Sequence, residues 1–263
     1  MIYRIDKGFS DDIVDAKHDD SWIAYNLSDS DEYMIRNGKG IKSIYTIDVS
    51  KKYSNWKMSL MDFIEFQTSL SKNILLSVSE DDIKEAKIAY SNHHFNDPYL
   101  REYESKVMVH STTSSCWKSI KGDNCLKAWN TLKKEKNSWE QFPVGEKLGD
   151  PEDFSDYIMF SNGSISSEIV VLSKENGKII MDSHMEYTPG VRLYFDMVKI
   201  ANDGLLIRDG CHFKVKDSLP LKPYLIWVAD WENVGLSSPN STPIEYTKKA
   251  NECFNKVYGE KIF

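Results

Sequence analysis

The chain has 263 residues, of which 41% are hydrophobic and 28% are charged, and its formal net charge is −7 with a pI of about 5.5. This length is enough for one large domain or two small ones with a sizeable core. The negative charge argues against a general nucleic-acid-coating surface, which needs a basic face, although it leaves room for a local basic groove. No apolar run approaches the roughly 20 residues of a membrane-spanning helix, and the acidic N-terminal segment lacks a signal-peptide core, so we expect a cytoplasmic protein.

The cysteines and histidines give no pattern of metal ligands. Four cysteines are scattered without a Cys-x-x-Cys pair: Cys116, Cys125, Cys211 and Cys253. We interpret them as reduced, mostly buried thiols. A metal site needs ligands clustered at short spacing, and the histidine pair His93-His94 has no cysteine near it. The sequence therefore predicts no metal site.

Residues 1–105 are expected to form an accessory N-terminal α/β unit. The alternating segment 41–49 predicts a strand, and the apolar spacing from Leu60 to Ile74 predicts a helix. Ser79 followed by Asp82 resembles an N-cap with an acidic first turn, which predicts a second helix through Ala89. Segment 91–99 is typical of a linker. We find no catalytic motif in this unit.

Residues 106–263 are expected to form a second domain of short strands and flanking helices. Val107–Val109 predicts a strand, followed by helices from about Ser114 and from Cys125 to Lys134. The segment Tyr157–Phe160 and three later apolar segments are interpreted as short, mostly antiparallel strands: Glu168–Leu172, Lys178–Met181 and Val191–Phe195. A short helix after Asp196, strands at 212–215 and 224–228, and a helix over 244–258 complete the expected order.

The segment around His110 is the main candidate for a functional site. His110 ends an apolar strand, and the hydroxyl residues that follow it open a helix. Serine and threonine cap helix N-termini well, and the free N–H groups there suit a phosphate. A histidine beside such a site can hydrogen-bond a ribose hydroxyl. The alternative from these residues alone is a capped strand end with a structural histidine.

This segment resembles a known superfamily. Val109-His110-Ser111-Thr112, followed by Trp117, Ile120 and Leu126, is similar to the His-Gly-Thr segment of the RNA 2′-phosphotransferases and ADP-ribosyltransferases. In that superfamily the histidine and threonine hold the ribose of NAD. Here Ser111 and Cys125 stand where the family has glycines.

A second stretch carries the same resemblance. Residues 191–225 are similar in layout to the C-terminal part of the RNA 2′-phosphotransferases, with matching positions at Asp196, Gly204, Arg208, Asp217, Pro220 and Tyr224. Segment Tyr157–Ser161 stands in the place of the family strand that lines the nicotinamide pocket. The resemblance covers about residues 107–228 and implies an α+β fold, with an ADP-ribosyltransferase-like core of short, mostly antiparallel strands and flanking helices.

The resemblance also implies NAD as the cofactor and suggests a set of site residues. His110, Ser111, Thr112, Tyr157 and Ser161 are the expected NAD-binding residues. The expected catalytic residues are Arg208 for phosphate through its planar guanidinium, His212 as a base or nucleotide contact, and Glu186 as the acid. Each of these has a structural alternative, such as a surface arginine in an Arg-Asp-Gly turn, an ordinary strand end, a structural histidine or a solvated turn acid.

The expected activity is transfer of ADP-ribose from NAD to a nucleic acid, a protein or a small molecule. The RNA 2′-phosphotransferases carry further arginines and histidines upstream of their His-Gly-Thr segment. Residues 1–106 offer no match, since the nearby His93 and Arg101 have the wrong spacing. Phosphate removal from RNA is therefore the less favoured enzymatic reading. A nucleotide- or partner-binding module without catalysis is a third interpretation, which the changed glycines and the lack of an assured glutamate favour.

Overall fold

A computed structural model describes residues 1–5, 21–29, 35–39, 44–135, 144–145 and 149–259. The chain divides into two compact units. Unit 1 comprises Met1–Asp97, Leu148–Glu152 and Ile207–Phe213, and unit 2 comprises Pro98–Lys147, Asp153–Leu206 and Lys214–Phe263. This division differs from a single cut between residues 105 and 106, because two short segments from further along the chain, Leu148–Glu152 and Ile207–Phe213, belong to unit 1.

Unit 1 is built on a five-stranded sheet, in which three of the four strand pairings are parallel. In spatial order the strands are β1 (Ile2–Ile5), β5 (Asn73–Ser77), β2 (Trp22–Ser28), β4 (Tyr45–Ser50) and the antiparallel β3 (Ile35–Lys39). Strands β2 and β5 contain consecutive buried residues, Ile23 to Tyr25 and Ile74 to Leu76. Such continuous burial is typical of parallel strands that are covered on both faces.

The two helices of unit 1 are α1 (Trp56–Ser69) and α2 (Glu80–Ala89). The Ser79 side chain accepts a hydrogen bond from the Asp82 N–H, which confirms the predicted N-cap and the second helix. The prediction of a helix from Leu60 to Ile74 is wrong at both ends. The helix begins four residues earlier, and Ser71 adopts a left-handed backbone with φ of 58°, so Ile74 continues into β5.

Unit 2 contains antiparallel sheets, so the chain as a whole is a mixed α+β protein. The main sheet has the order β13 (Leu225–Ala229), β9 (Val191–Asp196) and β6 (Val107–Thr112), and both pairings are antiparallel. A second, two-stranded sheet pairs β7 (Cys125–Lys127) with β12 (Ser218–Pro220). Among the described residues, the remaining strands are β8 (Tyr157–Phe160), β10 (Ile207–Asp209) and β11 (His212–Lys216).

Several helices belong to unit 2, and the C-terminal one packs on the main sheet. They are α3 (Ser114–Asp123), α4 (Trp129–Glu135), α5 (Ser166–Asn176), α6 (Met197–Asn202), the short α7 (Leu221–Tyr224) and α8 (Pro243–Tyr258), with a 3₁₀ turn at Glu152–Asp156. Tyr246, Ala250 and Phe254 lie four residues apart on one face of α8 and are fully buried. They pack against Val109 and Tyr194 of the sheet in the core of this unit.

Several predicted elements of the second unit are confirmed, and three are wrong. The strand at Val107, the helix from Ser114, the strand at Val191, the short helix after Asp196 and the C-terminal helix are all present. The supposed strand Glu168–Leu172 lies in helix α5, and residues 178–181 form no strand. The helix placed at Cys125 begins at Trp129, because Asn124 ends α3 in a left-handed conformation and β7 follows. No helix in the described ranges is long and apolar enough to cross a membrane.

Candidate functional site

The candidate site lies at the end of strand β6 in unit 2. Antiparallel pairing with β9 places His110 opposite Leu193 and Thr112 opposite Val191. Directly after the strand, Thr113 caps helix α3 by accepting a hydrogen bond from the Cys116 N–H at 3.3 Å. The backbone at the end of β6 can pack this closely only because Gly190 has no side chain. A Cβ at Gly190 would lie 1.9 Å from the Thr112 carbonyl oxygen.

His110 is held as a neutral imidazole of defined tautomer. Its Nδ1 lies 3.0 Å from the Met159 carbonyl oxygen, which can only accept, so Nδ1 carries the proton and donates it. The ring also meets Phe160 edge-on, with the ring centroids 6.3 Å apart. Burial lowers the pKa of His110 to about 4, and the charge of Lys174 acts in the same direction against the opposing effect of the Met159 hydrogen bond. Nε2 is therefore a hydrogen-bond acceptor at neutral pH.

The next residue of β6 joins a buried polar network. Ser111 Oγ donates to Glu168 Oε1, Tyr187 Oη donates to Glu168 Oε2 at 2.7 Å, and Arg192 Nη1 lies 3.1 Å from Oε1. Glu168 is 1% exposed and Arg192 is not exposed at all. The sequence analysis missed this pair, since Glu168 was assigned to a strand and Arg192 was not among the expected site residues.

The remaining contacts of Arg192 complete the network. Its Nη2 donates to the Gly163 carbonyl oxygen at 2.7 Å, and its Nη1 donates to Ser167 Oγ at 2.9 Å. Asn251 of α8 also donates to the Gly163 carbonyl at 2.9 Å and accepts from Tyr194 Oη at 3.0 Å. The network thus ties α5 and α8 to the central strand β9 and fixes the end of β6 next to His110.

The other predicted NAD-binding residues also lie in unit 2. Ser161 exchanges two backbone hydrogen bonds of 2.9 Å with Val109, directly before His110 in β6. Thr112 is buried at the end of the same strand. Tyr157 is buried at the start of β8, where its ring centroid lies 4.5 Å from the Lys214 ammonium. The structure therefore groups His110, Ser111, Thr112 and Ser161 along β6 and the residue that pairs with it. Tyr157 instead packs against the buried Lys214.

The predicted catalytic residues Arg208 and His212 belong to unit 1. Arg208 is only 1% exposed, and its Nη1 donates to the Asp97 carbonyl oxygen at 3.2 Å. His212 Nε2 lies 3.1 Å from Tyr45 Oη. The reading of Arg208 as part of a surface turn is wrong, since Arg208 and Asp209 are both buried. Their catalytic roles stay predictions.

Glu186 lies in unit 2 and is exposed to solvent. It directly precedes Tyr187, whose backbone forms an isolated antiparallel bridge with Ser241 and whose hydroxyl donates to Glu168. The backbone next to Glu186 is therefore held by Tyr187, while the Glu186 side chain is exposed to solvent. Its role as the catalytic acid stays a prediction.

Lys174 is a site residue that the sequence did not indicate. It lies in the last turn of α5, and its charge contributes to the lowered pKa of His110. Burial lowers the pKa of Lys174. A lysine near the C-terminal end of a helix carries no sequence signal beyond favourable interaction with the helix dipole.

Within the described part of the chain, no group of three or more His, Cys, Asp or Glu residues could hold a metal ion. Comparison with protein-family models, with curated proteins and with solved structures found no significant match.

Proposed function

We propose that unit 2 is a NAD-dependent transferase that moves ADP-ribose to an acceptor nucleophile. The observation that carries the proposal is the state of His110, whose Nδ1 donates to the Met159 carbonyl oxygen while Nε2 remains an acceptor. A ribose hydroxyl is a good donor to such a nitrogen. The resemblance of the Val109-His110-Ser111-Thr112 segment to the family's ribose-binding segment points to the same partner.

Bound NAD would supply a ribose whose bond to nicotinamide breaks toward a positively charged transition state, as in glycoside hydrolysis. The chain contributes positioning. His110 is oriented by a hydrogen bond, by an aromatic edge and by the strand that carries it. Holding a reactant in one geometry lowers the barrier because the loss of orientational freedom occurs on binding, before the reaction step.

The buried network of Glu168 and Arg192 supports this positioning role. Glu168 already accepts hydrogen bonds from Ser111, Tyr187 and Arg192, so its carboxylate is engaged in the fold and is a poor choice for the acid that polarises the ribose. Glu186 is exposed and next to Tyr187, and it remains our candidate for that acid. The network keeps the end of β6 rigid beside His110.

The architecture of unit 2 also favours the proposal. Strands β6, β9 and β13 are short and antiparallel, and helices flank them. A core of this kind is what the family resemblance implies. The acceptor is expected to be a nucleic acid, a protein or a small molecule, and the net charge of −7 favours an acceptor that does not need a broad basic surface.

Binding of NAD, measured by titration calorimetry, tests the proposal. His110→Asn keeps a donor for the Met159 carbonyl oxygen but removes the acceptor nitrogen, and His184→Asn changes an exposed histidine of the same unit as a matched control. We expect the wild type and His184→Asn to bind NAD equally, and His110→Asn to bind at least tenfold more weakly. Equal binding by His110→Asn, or no binding by the wild type at millimolar NAD, would contradict the proposed contact between His110 and the ribose.

A further inference from the structure

The thiol of Cys211 lies against the imidazole of His212 in unit 1. Cys211 Sγ is 3.7 Å from His212 Nε2, which is a hydrogen-bonding distance for sulfur. The same Nε2 lies 3.1 Å from Tyr45 Oη, and the centroids of the two rings are 6.4 Å apart. Cys211 and His212 are both partly exposed, so the thiol and the nitrogen that can take its proton are in contact with solvent.

The turn between β10 and β11 fixes this geometry. Gly210 and Cys211 form the turn, and Gly210 adopts a left-handed backbone with φ of 62°. A Cβ at Gly210 would lie 3.0 Å from Ile47 Cδ1, so the turn packs closely on strand β4. Strand β4 also carries Tyr45, and the hydroxyl of Tyr45 therefore meets the ring of His212 directly after the turn.

The partner of the thiol distinguishes Cys211 from two other cysteines. All four cysteines are thiols of intermediate exposure, and not the mostly buried side chains that the sequence predicted. Cys125 Sγ and Cys253 Sγ donate to backbone carbonyl oxygens at 3.4 and 3.8 Å. A carbonyl oxygen only accepts a hydrogen bond, so the proton stays on the sulfur. An imidazole nitrogen can take the proton, and the thiolate that results is the nucleophilic form of cysteine.

From this arrangement we propose that Cys211 is a reactive thiol that exchanges with low-molecular-weight disulfides, and that His212 is its base. His212 Nε2 takes the proton of the thiol, and the thiolate attacks one sulfur of the disulfide. A new S–S bond forms to Cys211, the original S–S bond breaks, and the leaving thiolate receives the proton from Nε2. Cys211 is thereby oxidised to a mixed disulfide, and the other half of the reagent is reduced to a thiol.

The surroundings of the pair suit a disulfide as the electrophile. The exchange needs no further reactant, because the imidazolium returns its proton to the leaving group. Two phenols lie around the pair: Tyr45 of β4 contacts the imidazole, and Tyr25 of β2 interacts electrostatically with Cys211. Burial raises the pKa of Tyr25, so this phenol stays neutral and does not repel a thiolate. The role of His212 in this exchange is independent of the activity proposed for unit 2.

The test uses the uncharged bis(2-hydroxyethyl) disulfide as the probe, and peptide mass spectrometry measures the mixed disulfide at each cysteine separately. We expect Cys211 to react at least tenfold faster than Cys125 and Cys253, whose exposure is similar. His212→Asn should slow the reaction of Cys211 at least tenfold, whereas His94→Asn, which changes an exposed histidine of the same unit, should leave it unchanged. Equal rates at the three thiols, or an unchanged rate in His212→Asn, would overturn the proposal.

The pH dependence of the wild-type reaction is a second measurement, which does not depend on the folding of a variant. A thiol with the ordinary pKa of about 8.5 loses its thiolate roughly fifteenfold between pH 8.5 and pH 7. Because His212 can take the proton, we expect the rate at Cys211 to fall less than fivefold over this range. Burial raises the pKa of Cys125, so its rate should fall at least fifteenfold. A fifteenfold fall at Cys211 would contradict the proposal.

Discussion

The carboxylate of Glu168 and the guanidinium of Arg192 form an ion pair of 3.1 Å in which neither side chain is more than 1% exposed. The two residues come from helix α5 and strand β9. Ser111 and Tyr187 donate to the same carboxylate, so the pair connects the candidate site with the core of unit 2. A buried pair of this kind depends on both partners, because removal of either one leaves a charge without compensation.

Glu168→Gln is therefore expected to lower the free energy of unfolding by about 3 kcal/mol, since Arg192 would stay buried without its counterion. Glu175→Gln changes an exposed acid on the same helix and is expected to stay within about 0.5 kcal/mol of the wild type. Urea denaturation of both variants gives the comparison. In the double variant Glu168→Gln/Arg192→Met we expect part of the loss to be recovered, and a purely additive result would show that the two charges do not interact.

The close approach of Gly190 to the end of β6 gives a second prediction. A Cβ at this position would lie 1.9 Å from the Thr112 carbonyl oxygen and 2.8 Å from Thr113 Cα, and both are backbone atoms that cannot move alone. Gly190→Ala should lower the free energy of unfolding by roughly 3 kcal/mol, and it should weaken any ligand binding at His110. Thermal unfolding measures the first effect.

Gly122→Ala is the matched control for this change. No atom lies within 4 Å of a Cβ at Gly122, which sits in helix α3. Alanine is the better helix former, so this variant should be as stable as the wild type or more stable by up to about 1 kcal/mol. If Gly190→Ala unfolds at the same temperature as Gly122→Ala, the tight contact with β6 is not present in solution.

The protonation of His110 gives a pH dependence with a definite sign. Its pKa is lowered to about 4 by burial and by the charge of Lys174, below the value of roughly 6.5 for an unfolded histidine. Between these two pKa values the unfolded chain binds more protons than the folded protein. The contribution of His110 to stability is therefore complete above the unfolded pKa, and it is lost as the pH falls toward the folded pKa. In the variant His110→Asn, the free energy of unfolding should therefore fall less than in the wild type as the pH is lowered through this range.

His94 provides an internal reference for the titration. Its hydrogen bond with Glu65 and the charge of that carboxylate raise the pKa of His94. In an NMR titration of the imidazole signals, assigned with His110→Asn, the His110 resonance should therefore shift at a lower pH than the His94 resonance. A His110 signal that titrates near the unperturbed value would contradict the partly buried, neutral histidine of the candidate site.

The N-cap of α2 tests the fold of unit 1. Ser79 Oγ accepts the Asp82 N–H at 3.1 Å, and Ser79→Ala removes this acceptor. The expected loss is about 1 kcal/mol, which is typical for a serine cap. Ser79→Thr retains a capping oxygen and should lose much less. Chemical denaturation followed by circular dichroism measures both variants, and equal stability of Ser79→Ala and the wild type would mean that the cap contributes nothing.

The sequence correctly predicted helices whose N-terminal capping residue is recognisable. Ser79 and Asp196 both cap the helices that follow them, as their positions before a helical pattern indicated. The run Glu168–Leu172 was assigned wrongly because a short apolar run fits a buried strand and a buried helix equally well. In the fold it belongs to a helix that Gly177 ends in a left-handed conformation.

The candidate site was predicted only in part, for a related reason. His110 and its hydroxyl neighbours are contiguous, so a local motif was enough to single them out. The Glu168–Arg192 pair is separated by 24 residues, and only the packing of α5 on the sheet brings the two side chains together. Lys174 has no motif at all. Arg208 matched a family position, and yet its guanidinium donates to the Asp97 backbone in unit 1.

The most direct test of the account is the release of nicotinamide from NAD by the purified protein. The wild type and His184→Asn should release nicotinamide at the same slow rate, since His184 is exposed to solvent. His110→Asn should lose at least 90% of that rate while it keeps its fold, because its Nε2 acceptor is gone. Release by His110→Asn at the wild-type rate, or no release by the wild type, would contradict the claim that His110 positions the ribose of NAD for transfer.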